Sequence, residues 1–140
     1  MIVLDTNVLS ELMRPKPLPR VVHWLAACPP SSLFTTSITQ AEIFFGLRLL
    51  PASKRRASLE AAATELFQED FRGRVLSFGS DAALFFAQIA AERRHLGQPI
   101  SQSDAQIAAI ALSGGARLAT RNVTDFQNCG LILLDPWSAP

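Results

Sequence analysis

Cysteine is scarce in this 140-residue chain, and its two copies, Cys28 and Cys129, fall in no CxxC or Cys/His spacing. A disulfide framework and a structural zinc site are both excluded on that count, and two reduced thiols fit a cytoplasmic protein. Long apolar runs are missing too. No window approaches the roughly 18 apolar residues of a spanning helix, so no membrane contact is expected. The first residues lack a basic region followed by a cleavage site, which argues against secretion. No glycine-rich turn follows the first apolar run, which excludes a Rossmann cofactor site. Repeats, low-complexity segments and internal boundaries are also absent, so residues 1–140 are expected to form a single domain.

What is present is a core-forming composition, 49% hydrophobic, with a formal net charge of only +1. Lys54-Arg55-Arg56, Arg72 with Arg74, Arg93-Arg94 and Arg117 with Arg121 form local basic clusters. A nearly neutral protein can still steer a polyanion with such a patch, although charge pairs of this kind also serve simply to solvate helix faces.

The chain opens on Met1-Ile-Val-Leu-Asp5-Thr6-Asn7, three apolar residues running into polar turn-formers. This pattern predicts a buried, parallel strand. Helical patterns follow over Asn7–Met13 and Arg20–Ala27, the second closed by Pro29-Pro30. Ser32–Thr36 reads as a second strand, Ile38–Leu50 and Ala52–Phe71 as helices, and Arg74–Phe78 as a third strand. Ser80-Asp81 is expected to cap a helix running to His95 and stopped by Gly97; Gln102–Ser113 gives the next helix. Arg117–Thr120 and Gly130–Leu134 complete the strands. The alternation predicts an α/β fold, a mostly parallel sheet of about four to five strands flanked by helices.

In such a sheet, ligands lie outside the carboxyl ends of the strands, which is where Asp5 falls. Glu42 is expected in the first turn after the second strand, and Asp104 in the first turn of the helix before the fourth. Asn122 and Asp125 follow that fourth strand. Each also has a plain structural role open to it. Asp5 can cap a helix, Thr39-x-x-Glu42 and Ser101-x-x-Asp104 have capping-box spacing, and Asp125 suits a turn. Three carboxylates within about 4 Å, however, repel by roughly 4 kcal/mol per pair at an effective dielectric near 20. That total rivals the ~5–15 kcal/mol stability of a whole domain. Such a cluster must protonate, spread apart or hold a cation, and an all-oxygen site suits Mg²⁺ or Mn²⁺. Thr6 and Thr120 are placed to orient the carboxylates.

Taken together, Ile2-Val-Leu-Asp5-Thr-Asn7, Thr39-x-x-Glu42, Ser103-Asp104-Ala-x-Ile107-Ala-Ala109 and Ala119-Thr-Arg-Asn122-x-x-Asp125-Phe126 resemble the motifs of PIN-domain nucleases. The resemblance is strongest to VapC toxins of the FitB-like branch and extends to Asp135-Pro-Trp137. It implies a Mg²⁺-dependent endoribonuclease with Asp5 and Asp104 as metal ligands and Glu42 completing the catalytic acids. It further implies a homodimer, a VapB-like antitoxin, and operator DNA bound only through that antitoxin. Where many PIN domains carry a fourth acid this chain has Asn122, with Asp125 three residues on as the other candidate. Arg121, with some of Arg48, Lys54, Arg55 and Arg56, is expected to guide the RNA backbone. Leu9, Leu12, Phe44 and Phe45 are expected either to meet a partner or to form plain core. The alternative function is a catalytically weak PIN-like module that mainly binds nucleic acid or antitoxin. A haloacid-dehalogenase-like phosphatase would need an acid where Asn7 stands, and a receiver domain would need a lysine later than Lys54.

Overall fold

Three strand residues with no polar side chain, Ile2–Leu4, form β1 and are buried on both faces. In the computed structural model, which describes residues 1–138, this strand is the centre of a five-stranded sheet in the order β3-β2-β1-β4-β5. The neighbours are β2 (Leu33–Thr36), β3 (Val75–Leu76), β4 (Arg117–Ala119) and β5 (Leu133–Leu134), and every pairing is parallel. A parallel central strand must be covered on both sides, which explains why β1 reads as a continuous apolar run rather than an alternating one.

Two packed cores result. Ile2 and Leu4 point to one face, against α1 (Thr6–Leu12), α2 (Pro19–Ala26), α3 (Ser37–Arg48) and α4 (Lys54–Glu65). Val3 points to the other, against α5 (Ser80–His95) and α6 (Gln102–Ser113). The alternation of side chains along an extended strand makes one short segment serve both layers. No helix among the described residues is long and apolar enough to cross a membrane. Cys28 is partly buried and Cys129 buried, both as free thiols.

The element boundaries differ from the sequence-based expectation in instructive places. The expected helix over 52–71 stops being α-helical at Glu65 and continues as a wider turn over Leu66–Asp70. There the Phe71 amide reaches back to the Leu66 carbonyl at 2.9 Å, and both Phe67 and Phe71 are buried. The cap of α5 is Gly79, without a side-chain bond, so Ser80 and Asp81 lie inside its first turn. Its end is as expected: Gly97 has φ +70°, and its amide and that of Gln98 close onto the Arg94 and Arg93 carbonyls. The third and fifth strands are two residues each, shorter than the expected Arg74–Phe78 and Gly130–Leu134.

Candidate active site

Asp5 follows β1, and its amide still donates to the Ala119 carbonyl at 2.9 Å, so the residue is fixed by the sheet before its side chain bonds to anything. Its carboxylate is 4% exposed. Oδ1 accepts from the Thr6 amide at 2.8 Å, capping α1, and Oδ2 accepts from the Thr120 hydroxyl at 2.8 Å. One buried carboxylate thus both caps α1 and faces Thr120 at the end of β4. Burial pushes the Asp5 carboxyl up to about 6; the bonds from Thr120 and Thr6 hold it down, and the charges of Asp104 and Glu42 add to the rise.

Glu42 is placed differently from its expected position. The cap of α3 is Thr36, whose hydroxyl accepts from the Thr39 amide at 3.1 Å, so Glu42 lies beyond the first turn and plays no part in capping. Its Oε1 instead accepts from the Thr6 hydroxyl at 2.7 Å. Thr6 Oγ1 is 3.0 Å from Thr39 Oγ1, to which the Thr36 hydroxyl donates at 3.4 Å. With Thr6 committed to Glu42, Thr39 must donate to Thr6. A chain of three threonine hydroxyls therefore runs from the fully buried Thr36 and Thr39 to an exposed carboxylate. Thr6 orients Glu42 and Thr120 orients Asp5.

Asp104 does occupy the expected capping box: the Ser101 hydroxyl accepts from the Asp104 amide at 3.2 Å at the start of α6. The side chain is partly buried, which raises its pKa; the Ser101 side chain lowers it, Asp125 and Glu42 raise it, and Arg93 lowers it. Asp5, Thr6, Glu42, Asp104, Arg121 and Asn122 line one open cleft of about 380 Å³. Asp125 does not. It lines an adjoining cavity on the far side of Asp104, with Arg93 and Ser101. Asn122 thus shares the cleft of Asp5, while Asp125 acts on Asp104 from behind. Among the described residues, no three Asp, Glu, His or Cys side chains are drawn into a ready-made cation cage. Burial biases Asp5 and Asp104 toward protonation.

The cleft also holds residues the motifs did not single out. Glu11 is 4% exposed, yet accepts from the Leu18 amide at 3.0 Å and from Arg14 at 3.3 Å, latching the turn after α1. The signal was an acid on the apolar stripe Val8-Leu9-x-x-Leu12 of that helix. Ser10 and Arg14, together with Asn7 and Trp137 from the motif stretches, complete the lining. Other expectations are corrected. Arg93 is buried, not part of a surface cluster; it donates to the carbonyls of Gln98 (2.6 Å), Asp125 (2.8 Å) and Gln127 (3.0 Å). Arg48 and Arg56 are both engaged with Glu60, at 3.6 and 3.1 Å. Of the four residues named as a partner face, Leu9 is core, Leu12 packs on the core and Phe44 packs on Phe67. Only Phe45 is exposed, at 64%.

The PIN domain family model matches residues 2–129. This chain is a PIN-domain protein. It is 39% identical over 137 residues to VapC ribonuclease Y4jK of Sinorhizobium fredii, covering 98% of each chain. To Toxin FitB of Neisseria gonorrhoeae it is 35% identical over 137 residues, covering 98% of this chain and 99% of that one. Among solved structures, FitAB bound to an IR36 DNA fragment matches with a TM-score of 0.93 at 34% identity, covering 100% of this chain and 98% of that one. FitAcB from Neisseria gonorrhoeae matches at 0.89 and 34%, covering 99% and 100%. The parallel five-stranded sheet with helices on both faces is the PIN fold.

Proposed function

We propose that this PIN-domain protein is a metal-dependent endoribonuclease, the toxin of a toxin–antitoxin pair, with residues 1–140 acting as one nuclease unit. Residues 139 and 140 of that unit lie outside the described residues. The observation that carries the reading is Asp5: a carboxylate buried at the end of the central strand, opening on a cleft shared with Glu42, Asp104 and Asn122. Desolvated carboxylates with raised pKa values, and with no ion pair among the described residues, are suited to a hard divalent cation, Mg²⁺ or Mn²⁺. The donor set is all oxygen: Asp5 and Asp104 as ligands, with the Asn122 carbonyl a neutral third donor. Such a cation supplies positive charge at the phosphate and lowers the pKa of a nearby water.

The chain's own groups do the rest. Thr120 and the Thr6 amide fix both oxygens of Asp5, leaving it no rotational freedom. Glu42, oriented by Thr6, is the exposed acid beside the cleft and is assigned to take the proton of the attacking water. Arg121 is assigned to the RNA backbone. A VapB-like antitoxin, a homodimer and operator DNA held only through the antitoxin complete the proposal. The relatives named VapC ribonuclease and Toxin FitB, and solved complexes such as FitAB on DNA, support it.

The deciding experiment incubates defined tRNA, rRNA and mRNA fragments with the protein in Mg²⁺ or EDTA, beside Asp104→Asn. Cleavage in Mg²⁺ alone, lost in the variant, is the expected result. A gel shift of the same RNAs without cleavage under any metal would instead identify a binding module.

A further inference from the structure

Two guanidinium groups line the acidic cleft, and they are held in opposite ways. Arg14 is paired with Glu11 at 3.3 Å. Arg121 has no carboxylate within ion-pair distance among the described residues, although Asp5, Glu11, Glu42 and Asp104 line the same cleft. Its guanidinium instead lies over the Trp137 ring, 5.4 Å from the centroid. At an effective dielectric near 20 an ion pair at 4 Å is worth roughly 4 kcal/mol before desolvation, so a free arginine here would be drawn onto the nearest acid. Trp137 provides the competing seat.

The seat is itself anchored. The Trp137 carbonyl accepts from Arg20 Nη1 at 2.7 Å, and its amide donates to Asp135 Oδ1 at 2.9 Å. Asp135 also accepts from the Ser138 hydroxyl at 2.8 Å, and the indole packs on the core beneath α1 and α2. At the other end, the Arg121 amide donates to Asn7 Oδ1 at 3.3 Å. Backbone and guanidinium of Arg121 are therefore both held, and among the described residues its in-plane N–H donors make no hydrogen bond. Strand order places Arg121, after β4, on the opposite side of Asp5 from Glu42, which follows β2.

We propose that Trp137 is a positioning residue that holds Arg121 off the acidic cluster, so that its planar fork engages an RNA phosphate next to the one being cut. A stacked guanidinium keeps its edge free for bidentate phosphate contact, which a lysine at 121 would not reproduce. This rests on the nuclease reading above and adds to it the group that fixes the substrate's position along the cleft.

The test combines RNA cleavage kinetics with salt-dependent binding of the same RNA to an Asp104→Asn background in EDTA. Trp137→Leu is expected to raise KM by roughly 3- to 30-fold, with kcat falling less. It should also flatten log K against log salt by about 0.7, one phosphate contact on a single strand. Trp137→Phe, which keeps a ring beneath the guanidinium, is expected to recover most of both losses and controls for folding. Arg121→Gln should match Trp137→Leu, and the double variant should be no worse than Arg121→Gln alone. Additive losses, or an unchanged salt slope in Trp137→Leu, would overturn the proposal. If the parent cleaves no RNA while the slope still falls in Trp137→Leu, the nuclease reading fails and the positioning role stands. If the parent cleaves RNA and the slope is unaltered, the nuclease reading stands and the positioning role fails.

Discussion

The Thr120 hydroxyl donates to Asp5 Oδ2 across 2.8 Å and 115 residues of chain, in the buried end of the cleft. One hydrogen bond thus joins the ends of β1 and β4 and sets the direction in which the buried Asp5 carboxylate faces. The same Thr120 oxygen accepts from the Asn122 amide at 3.0 Å, so it also shapes the loop that presents Arg121 and Asn122.

Replacing Thr120 by valine keeps the volume and removes that donor. A hydrogen bond to a charged acceptor contributes about 1.5–3 kcal/mol, so the loss should raise the Asp5 pKa further and lower activity. The acid limb of the pH–rate profile is expected to move to higher pH, with Thr120→Ser restoring it. An unmoved limb in Thr120→Val would show that Thr120 does not control Asp5.

Asp5 should also betray itself in folding without any metal. Its folded pKa, about 6, lies above the ordinary 3.8, so the folded state holds this proton more tightly than the unfolded chain. Stability from that difference is complete below about pH 3.8 and is lost as pH rises through 6. By pH 7.5 the charged, buried Asp5 costs on the order of 3 kcal/mol. In EDTA, Asp5→Asn is therefore expected to gain on the parent in urea melts by that order between pH 4 and pH 7.5 while abolishing cleavage. A pH-independent difference between the two proteins would refute the assignment.

Thr39→Val breaks the hydroxyl chain at its middle link without touching a carboxylate. Losing such an orienting partner typically lowers activity or metal affinity by 10–100-fold, and a drop in that range is expected, confined to kcat. Thr39→Ser should be nearly normal. Equal defects in the two variants would point to packing rather than to orientation of Glu42.

Arg93→Met separates a buried arginine from a nucleic-acid contact. The carbonyls of Gln98, Asp125 and Gln127 lose their donor, each unsatisfied group costing about 1–3 kcal/mol. The urea midpoint should fall accordingly, while the salt dependence of RNA binding stays that of the parent. A flattened salt slope at Arg93 would return it to the RNA-binding surface.

The central strand was legible because β1 is apolar without interruption, and Asp5 because a lone acid ended that run. Glu42 was expected in the first turn after β2, with a capping box as its plain alternative, and it holds neither place. Thr39 and Glu42 have the spacing of a capping box, but Thr36, three residues earlier, is better placed at the strand end to cap. Asn122 and Asp125 could not be separated from spacing alone, since the short helical turn Val123–Phe126 between them decides which faces the cleft. Arg93 looked like a surface pair with Arg94, because nothing local announces three carbonyls arriving from elsewhere in the chain. The Arg121–Trp137 stack is a contact of the same kind, visible only once β4 and β5 lie side by side.

The order β3-β2-β1-β4-β5 has a consequence for how this protein is born. β1, which Asp5 follows, is made before the other four strands, yet one of its two neighbours, β4, begins at Arg117. Until that late segment emerges, Asp5 has no Thr120, the cleft lacks the wall that carries Arg121, and half of the central strand's hydrogen bonds stay open. Pairings of such long sequence separation form slowly, after local helices. The surroundings of Asp5 are therefore completed only after residues 117–121 have been made and β4 has paired with β1.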